Sequence, residues 1–137
     1  MILDPKDKRH LSDIRMAKAR EFLADARATY EEKRLRTSVN RSYYAAVTAI
    51  RAVLILEGSN PETHEGAVTL LSLKFIKTGI LPIETIKKFK ILLSRRTDVD
   101  YGDFDTIDEK DAEDSLKDAE EIVEIIDEKR ARLIDES

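Results

Sequence analysis

Apolar positions recur every three or four residues along almost the whole chain, and no segment alternates with period two. This pattern predicts an all-α protein. Met16, Ala19, Leu23, Ala26 and Tyr30 form the stripe of a first helix, placed over Leu11 to Arg34. A second helix is expected from Thr37-Ser38, residue types that cap N-termini, to Gly58, a residue type that follows C-termini. Tyr43, Val47, Ile50 and Leu54 line one of its faces, and Ala45, Ala49, Ala52 and Leu56 line another. Apolar on two faces, this helix should sit at the centre of a bundle, its alanines admitting a neighbour at close range.

Ser59-Asn60-Pro61 reads as a turn and a third start, with Asn60 as cap and Pro61 in the first turn. Ala67, Leu70, Leu71 and Phe75 are its apolar positions, and Gly79 its stop. A fourth helix is expected from Pro82, with Ile86, Phe89, Leu92 and Leu93 turned inward. Arg96 falls on the line of Phe89 and Leu92, whereas Arg95 lies off it. Asp98 to Asp105 reads as a non-helical connection. Thr106-Ile107-Asp108-Glu109 then fits a capping box with Glu109 as its third residue. Ala112, Leu116, Ala119, Val123, Ile126 and Leu133 give the last helix one coherent stripe. At about 28 residues it is long enough to fray or to pack on a second chain. The sum is an up-and-down antiparallel bundle of about five helices, with residues 1–137 forming one domain.

Composition narrows the chemistry. Cysteine is absent, which removes disulfides, thiolate catalysis and cysteine-ligated metals. No apolar run approaches the roughly 20 residues of a membrane span. Met1 to Lys8 lacks the apolar region of a signal peptide, so a soluble cytoplasmic protein is expected. Charged residues reach 38%, while asparagine occurs twice and glutamine never, a balance that fits a heat-adapted source. Net charge runs from +5 over residues 1–51, through +1 over 52–102, to −10 over 103–137. Any contact with phosphate must therefore be local. The acidic end reads as a solvated helix face, or as one half of a head-to-tail attraction between two chains.

Chemistry-bearing residues gather at three places. The densest is Ser94 to Asp103, with Arg95, Arg96, Asp98, Asp100, Tyr101 and Asp103 beyond a buried helix. An arginine there can grip phosphate through two parallel hydrogen bonds, with Asp100 orienting it and Tyr101 bonding or stacking. The same pair, Arg96 and Asp100, can equally be an ion pair that fastens a helix end. Asn40-Arg41-Ser42-Tyr43-Tyr44 is the second place. Tyr43 lies on the apolar stripe, and Asn40 and Arg41 stand near it, placed to face a groove. The third is His64, near a helix N-terminus, where neutral imidazole is favoured. The histidines have no paired spacing for a metal, and the aspartates lack the spacing of a calcium loop. Phosphate loops, dinucleotide fingerprints and nucleophile elbows are missing, so neither metal nor cofactor is called for.

Asn40-Arg41-Ser42-Tyr43-Tyr44-Ala45-Ala46, Thr63-His64-Glu65-Gly66 and Arg96-Thr97-Asp98-Val99-Asp100-Tyr101-Gly102, in this order, resemble a prokaryotic branch of the HEPN domain family (higher eukaryotes and prokaryotes nucleotide-binding). The resemblance covers residues 11–130. It implies a helical bundle that forms a homodimer with a polar cleft at the interface. It also implies one of several roles: metal-independent ribonuclease, nucleotide or RNA binder, or partner of a nucleotidyltransferase in a toxin–antitoxin module. The family's active motif is an arginine followed four to six residues later by a histidine. Arg96 matches the arginine, but Tyr101 stands where the histidine belongs. A tyrosine of ordinary pKa is ionised in about one molecule in a thousand at pH 7. Tyr101 therefore suits positioning better than proton abstraction, and His64 is the alternative base if the fold brings it to Arg96. The leading expectation is a cleft built on Arg95, Arg96, Asp100, Tyr101, Asn40, Arg41 and Tyr43 that binds without efficient catalysis. A ribonuclease using Arg96 with Tyr101 or His64 is the second, and a docking bundle without a ligand the third.

Overall fold

The computed structural model describes residues 3–102 and 107–136. It contains five α-helices: α1 (Pro5–Glu31), α2 (Leu35–Leu54), α3 (His64–Leu71), α4 (Ile83–Tyr101) and α5 (Glu109–Asp135). No strand occurs among the described residues. The helices form the expected up-and-down bundle. α2 touches each of the other four and buries twelve of its 20 residues, which makes it the central helix.

The apolar stripes face inward as the spacing requires. Met16, Ala19, Leu23 and Ala26 of α1 pack with Tyr43, Ala45, Ala49, Ile50 and Leu54 of α2, Phe89 and Leu92 of α4, and Leu116, Ala119, Val123 and Ile126 of α5. Tyr43, Phe75 and Phe89 are the largest side chains sealed in this core. Burial of each phenylalanine contributes about 1.5–3 kcal/mol. Val39, Val99 and Ala112 form a smaller cluster near the far end of α4.

Several helix limits differ from the sequence expectation, each for a local reason. α1 starts at Pro5, six residues before Leu11, because Asp4 accepts from the Asp7 amide at 2.8 Å and Pro5 suits the first turn. α2 starts at Leu35 rather than at Thr37-Ser38. Ser38 Oγ bonds the Ala26 carbonyl of α1 instead of capping its own helix. A 3₁₀ turn, Ile55–Glu57, then leads to Gly58, whose φ of 80° ends the element. Asn60 and Pro61 do not start α3. Thr63 does, accepting from the Gly66 amide at 2.9 Å. α3 continues into a π-helical turn, Ser72–Ile76. Pro82 is the cap of α4 rather than its first helical residue.

The largest correction concerns Asp98 to Asp105. α4 runs through this expected loop as far as Tyr101. Buried Val99 anchors the extra turn against Val39 and Ala112, and Arg36 Nη2 bonds the Val99 carbonyl at 2.8 Å. Thr106 and Asp103 lie outside the described residues. The capping box of α5 is formed by Asp108 and Asp111, and Glu109 is the first helical residue rather than the third. The Asp111 amide reaches Asp108 Oδ1 at 2.8 Å, and the Asp108 amide reaches Asp111 Oδ2 at 3.2 Å.

The uneven charge is used within the chain. Arg20 of α1 reaches Glu124 at 3.0 Å and Asp127 at 2.6 Å, and Arg27 reaches Glu120 at 2.9 Å. Arg130 reaches back from α5 to Asp13. From α4, Lys88 pairs with Glu121. The acidic helix thus lies between two basic ones.

Candidate functional site

The extension of α4 decides the geometry. Because residues 96 to 100 are helical, Arg96 and Asp100 share one face, four residues apart. Arg96 Nε lies 2.8 Å from Asp100 Oδ2. Its N–H is not aligned with that oxygen, so the contact is an ion pair without a hydrogen bond. Arg96 Nη2 donates to the Tyr44 hydroxyl at 3.2 Å. Among the described residues Nη1 has no hydrogen-bond partner.

Three tyrosines surround the guanidinium. Its Cζ lies 5.4 Å from the Tyr43 ring centre, 5.7 Å from Tyr44 and 5.9 Å from Tyr101. These distances suit cation–π attraction, which strengthens as water is excluded. The Arg96 side chain is 13% exposed, whereas Tyr101 is 72% exposed and forms the outer wall. Asn40 Nδ2 reaches Asp100 Oδ1 at 3.5 Å and fixes the carboxylate from α2.

His64 joins from α3. Thr63 caps that helix through the Gly66 amide, and this cap places the imidazole against α2. A Cβ at residue 66 would lie 2.9 Å from Thr63 Oγ1, so only glycine admits the close approach. The Tyr43 hydroxyl bonds His64 Nδ1, and the two rings meet edge to face at 5.3 Å. Burial and the Arg96 and Arg51 charges hold His64 below the usual histidine range. Burial likewise pushes the Tyr43 phenol up, against the pull of Arg96 and Arg51. At neutral pH the pair is therefore phenol and neutral imidazole.

The proton positions follow from satisfaction of donors. Tyr43 has no other hydrogen-bond partner among the described residues, and a buried hydroxyl proton without an acceptor is costly. The phenol donates to Nδ1, which leaves the imidazole proton on Nε2. His64 then offers a donor at Nε2, not a free base.

Of the residues singled out in the sequence, Arg96, Asp100, Asn40, Tyr43, Tyr101 and His64 come together. Arg95 and Arg41 stand apart from that cluster. Arg95 faces α5, where it bonds Ser115 Oγ at 3.1 Å and approaches Asp118 at 4.0 Å. Arg41 turns to α1 and lies 5.7 Å over the Phe22 ring. Tyr44, part of the string around Tyr43, has no place in the expected cleft, and Arg51 is not singled out in the sequence. Tyr44 follows Tyr43 directly and was hidden by its neighbour's clearer place on the apolar stripe. Arg51 lies two helical turns beyond it, a spacing that could have been noticed.

No described helix is long and apolar enough to cross a membrane. The chain is 29% identical over 121 residues to a UPF0332 protein of Thermotoga maritima, covering 88% of this chain and 92% of that one. It is 27% identical over 112 residues to "Putative toxin MJ0142" of Methanocaldococcus jannaschii, covering 82% of this chain and 76% of the relative. The crystal structure of TT1696 from Thermus thermophilus shares the fold with a TM-score of 0.75 at 18% identity, over 86% of this chain and 97% of that one. The HEPN domain family matches residues 13–129, and the chain belongs to that family.

Proposed function

We propose that the Arg96 cluster binds the phosphate of a ribonucleotide unit in RNA, without efficient catalysis, and that the protein acts as a toxin-like RNA-binding module. The single observation behind this reading is the state of Arg96. Its guanidinium is held in place by Tyr43, Tyr44 and Asp100, yet Nη1 is without a protein partner among the described residues. A fixed arginine with a spare donor is prepared for an anion, because little side-chain freedom is lost on binding. Tyr101 supplies an exposed ring on which a base can stack. The Methanocaldococcus relative's name supports the toxin-like part.

In this reading the protein is cytoplasmic and works as a homodimer, with Tyr101 facing the groove between two copies. A nucleotidyltransferase is its proposed partner. Binding of labelled single-stranded RNA by wild type and by Arg96→Ala tests the site. Lost binding with unchanged circular dichroism supports it. Equal binding by the two proteins refutes it.

A ribonuclease at the same cleft is the second reading, favoured by the contiguity of His64, Tyr43 and Arg96. It requires His64 Nε2 to lose its proton to the alternative tautomer. RNA cleavage in EDTA that disappears in both Arg96→Ala and His64→Gln would establish it. The absence of cleavage leaves the binding reading.

A further inference from the structure

A second cluster of cations lies beside the Arg96 site, along the groove between α1 and α2. Arg15, Lys18 and Phe22 stand on one wall, and Tyr44, Thr48 and Arg51 on the other. They line an open cleft of about 500 Å³. Positions 15, 18 and 22, and positions 44, 48 and 51, are three or four apart, so each wall is a single helix face.

These cations differ from the others near the core. Arg20, Arg27, Arg95, Arg96 and Arg130 all have carboxylate partners. Arg15, Lys18 and Arg51 form no ion pair among the described residues. Arg51 Nε is buried with no hydrogen-bond partner among them. Arg15 is spent on neutral groups, the Arg51 carbonyl at 3.3 Å and Asn60 Oδ1 at 3.0 Å. Burial and the Arg51 charge lower its pKa, so two like charges are held together. Among the described residues Glu62 is the one carboxylate on the cleft wall, against three cations. Two guanidiniums and an ammonium facing one opening, with a net excess of two positive charges, make a seat for an anion.

Tyr44 connects this seat to the first one. Its hydroxyl accepts from Arg96, and it also lines the cleft. Its ring lies 5.9 Å from Phe22, so two aromatic faces stand between the cation groups. The geometry points to a second phosphate subsite at Arg15, Lys18 and Arg51, so that the ligand is a single-stranded RNA segment spanning several phosphates rather than a mononucleotide. This rests on the proposed RNA binding at Arg96 and adds to it a ligand length and a path. Arginines along a groove with interleaved aromatic rings suit a single strand, whose phosphates take the cations while its bases stack.

The test compares fluorescein-labelled oligouridylate of twelve nucleotides with uridine monophosphate, on the full chain. The variants are Arg51→Gln, Lys18→Ala, their double, and Arg96→Ala. Among the described residues neither the Arg51 nor the Lys18 side chain has a hydrogen-bond partner to lose, so both variants should keep the wild-type melting curve. The double variant should bind the 12-mer on the order of tenfold more weakly. The slope of log K against log salt should fall by about 0.7 for each cation removed. Affinity for the monophosphate, which needs only one of the two seats, should fall far less than affinity for the 12-mer in Arg51→Gln and Lys18→Ala. Should Arg96→Ala weaken binding while the double variant keeps wild-type affinity and salt slope, the second subsite is refuted and the Arg96 reading stands. Should the double variant weaken binding while Arg96→Ala does not, the cleft is upheld as an RNA seat and the Arg96 reading fails. If wild type binds no RNA, both are overturned.

Discussion

Tyr43 and His64 are joined by a hydrogen bond that links the central helix to the start of α3 across 21 positions of sequence. The phenol is sealed in the core and the imidazole is half-buried, so the bond fastens α3 at the edge of the candidate site. Tyr43→Phe keeps the ring packing against Phe89 and removes only the bond. It should destabilise the fold by about 1 kcal/mol. Urea unfolding gives the value. A double-mutant cycle with His64→Gln should then show coupling between the positions. Strict additivity would mean that the bond does not form in solution.

The histidine also sets a pH response. Burial and the Arg96 and Arg51 charges hold it below its ordinary value of 6.5. Above pH 6.5 both folded and unfolded chains carry neutral imidazole, and no pH dependence arises. Below it the unfolded chain takes up the proton more readily, so stability falls as the pH falls. Between pH 7 and pH 5 wild type should therefore lose more melting temperature than His64→Gln. Parallel curves for the two proteins would contradict the assignment.

Gly66 tests how α3 is started. Its missing Cβ leaves room for the Thr63 hydroxyl that caps the helix. Gly66→Ala should displace that hydroxyl, although alanine is the better helix former. The expected result is a stability loss close to that of Thr63→Ala, about 1 kcal/mol. Both variants should also shift the His64 ring signals in NMR. A stabilised Gly66→Ala protein would show that the cap is not under strain from residue 66.

Asp127 is where the clamp on α5 is most concentrated. Burial opposes its charge, but hydrogen bonds from Arg20 and Arg130 prevail and hold its carboxyl below the usual range. Arg130 is the less exposed of those arginines, and Asp127→Asn leaves it with Asp13 as its remaining charged partner. A loss of about 1–2 kcal/mol is expected at pH 7. The contribution belongs to the ionised form, so the gap between the two proteins should close as the pH falls below about 4. Thermal melts at pH 7 and pH 3 measure it.

Much of the bundle was legible because its signals are local. The stripes on α1, α2, α4 and α5 repeat over many turns, and most of their residues are buried where the spacing placed them, Leu56 being one that falls beyond its helix. Boundaries were less legible, because side chains that look like caps had other partners. Ser38 satisfies α1, and the true cap of α3 is Thr63. The run from Asp98 to Asp105 reads as a non-helical connection, yet α4 continues to Tyr101. Val99 anchors that turn by packing against residues about 60 positions earlier and 13 later. Convergence of Arg96 with His64 was posed as a question by the sequence and answered by topology. The Arg15–Arg51 cleft was invisible for the same reason, since its walls are 36 positions apart and each arginine alone looks like a surface charge.

The clamping of α5 has a consequence for how an anion would approach. Many of the acidic helix's carboxylates are already matched by cations from α1 and α4. Arg15, Lys18 and Arg51, which form no ion pair among the described residues, stand instead at the cleft between α1 and α2. A chain that is negative in sum thus keeps a local positive opening. A polyanion drifting towards it would be turned before it touches, drawn to that opening. Raising the ionic strength would blunt that steering first, by slowing arrival more than it hastens departure.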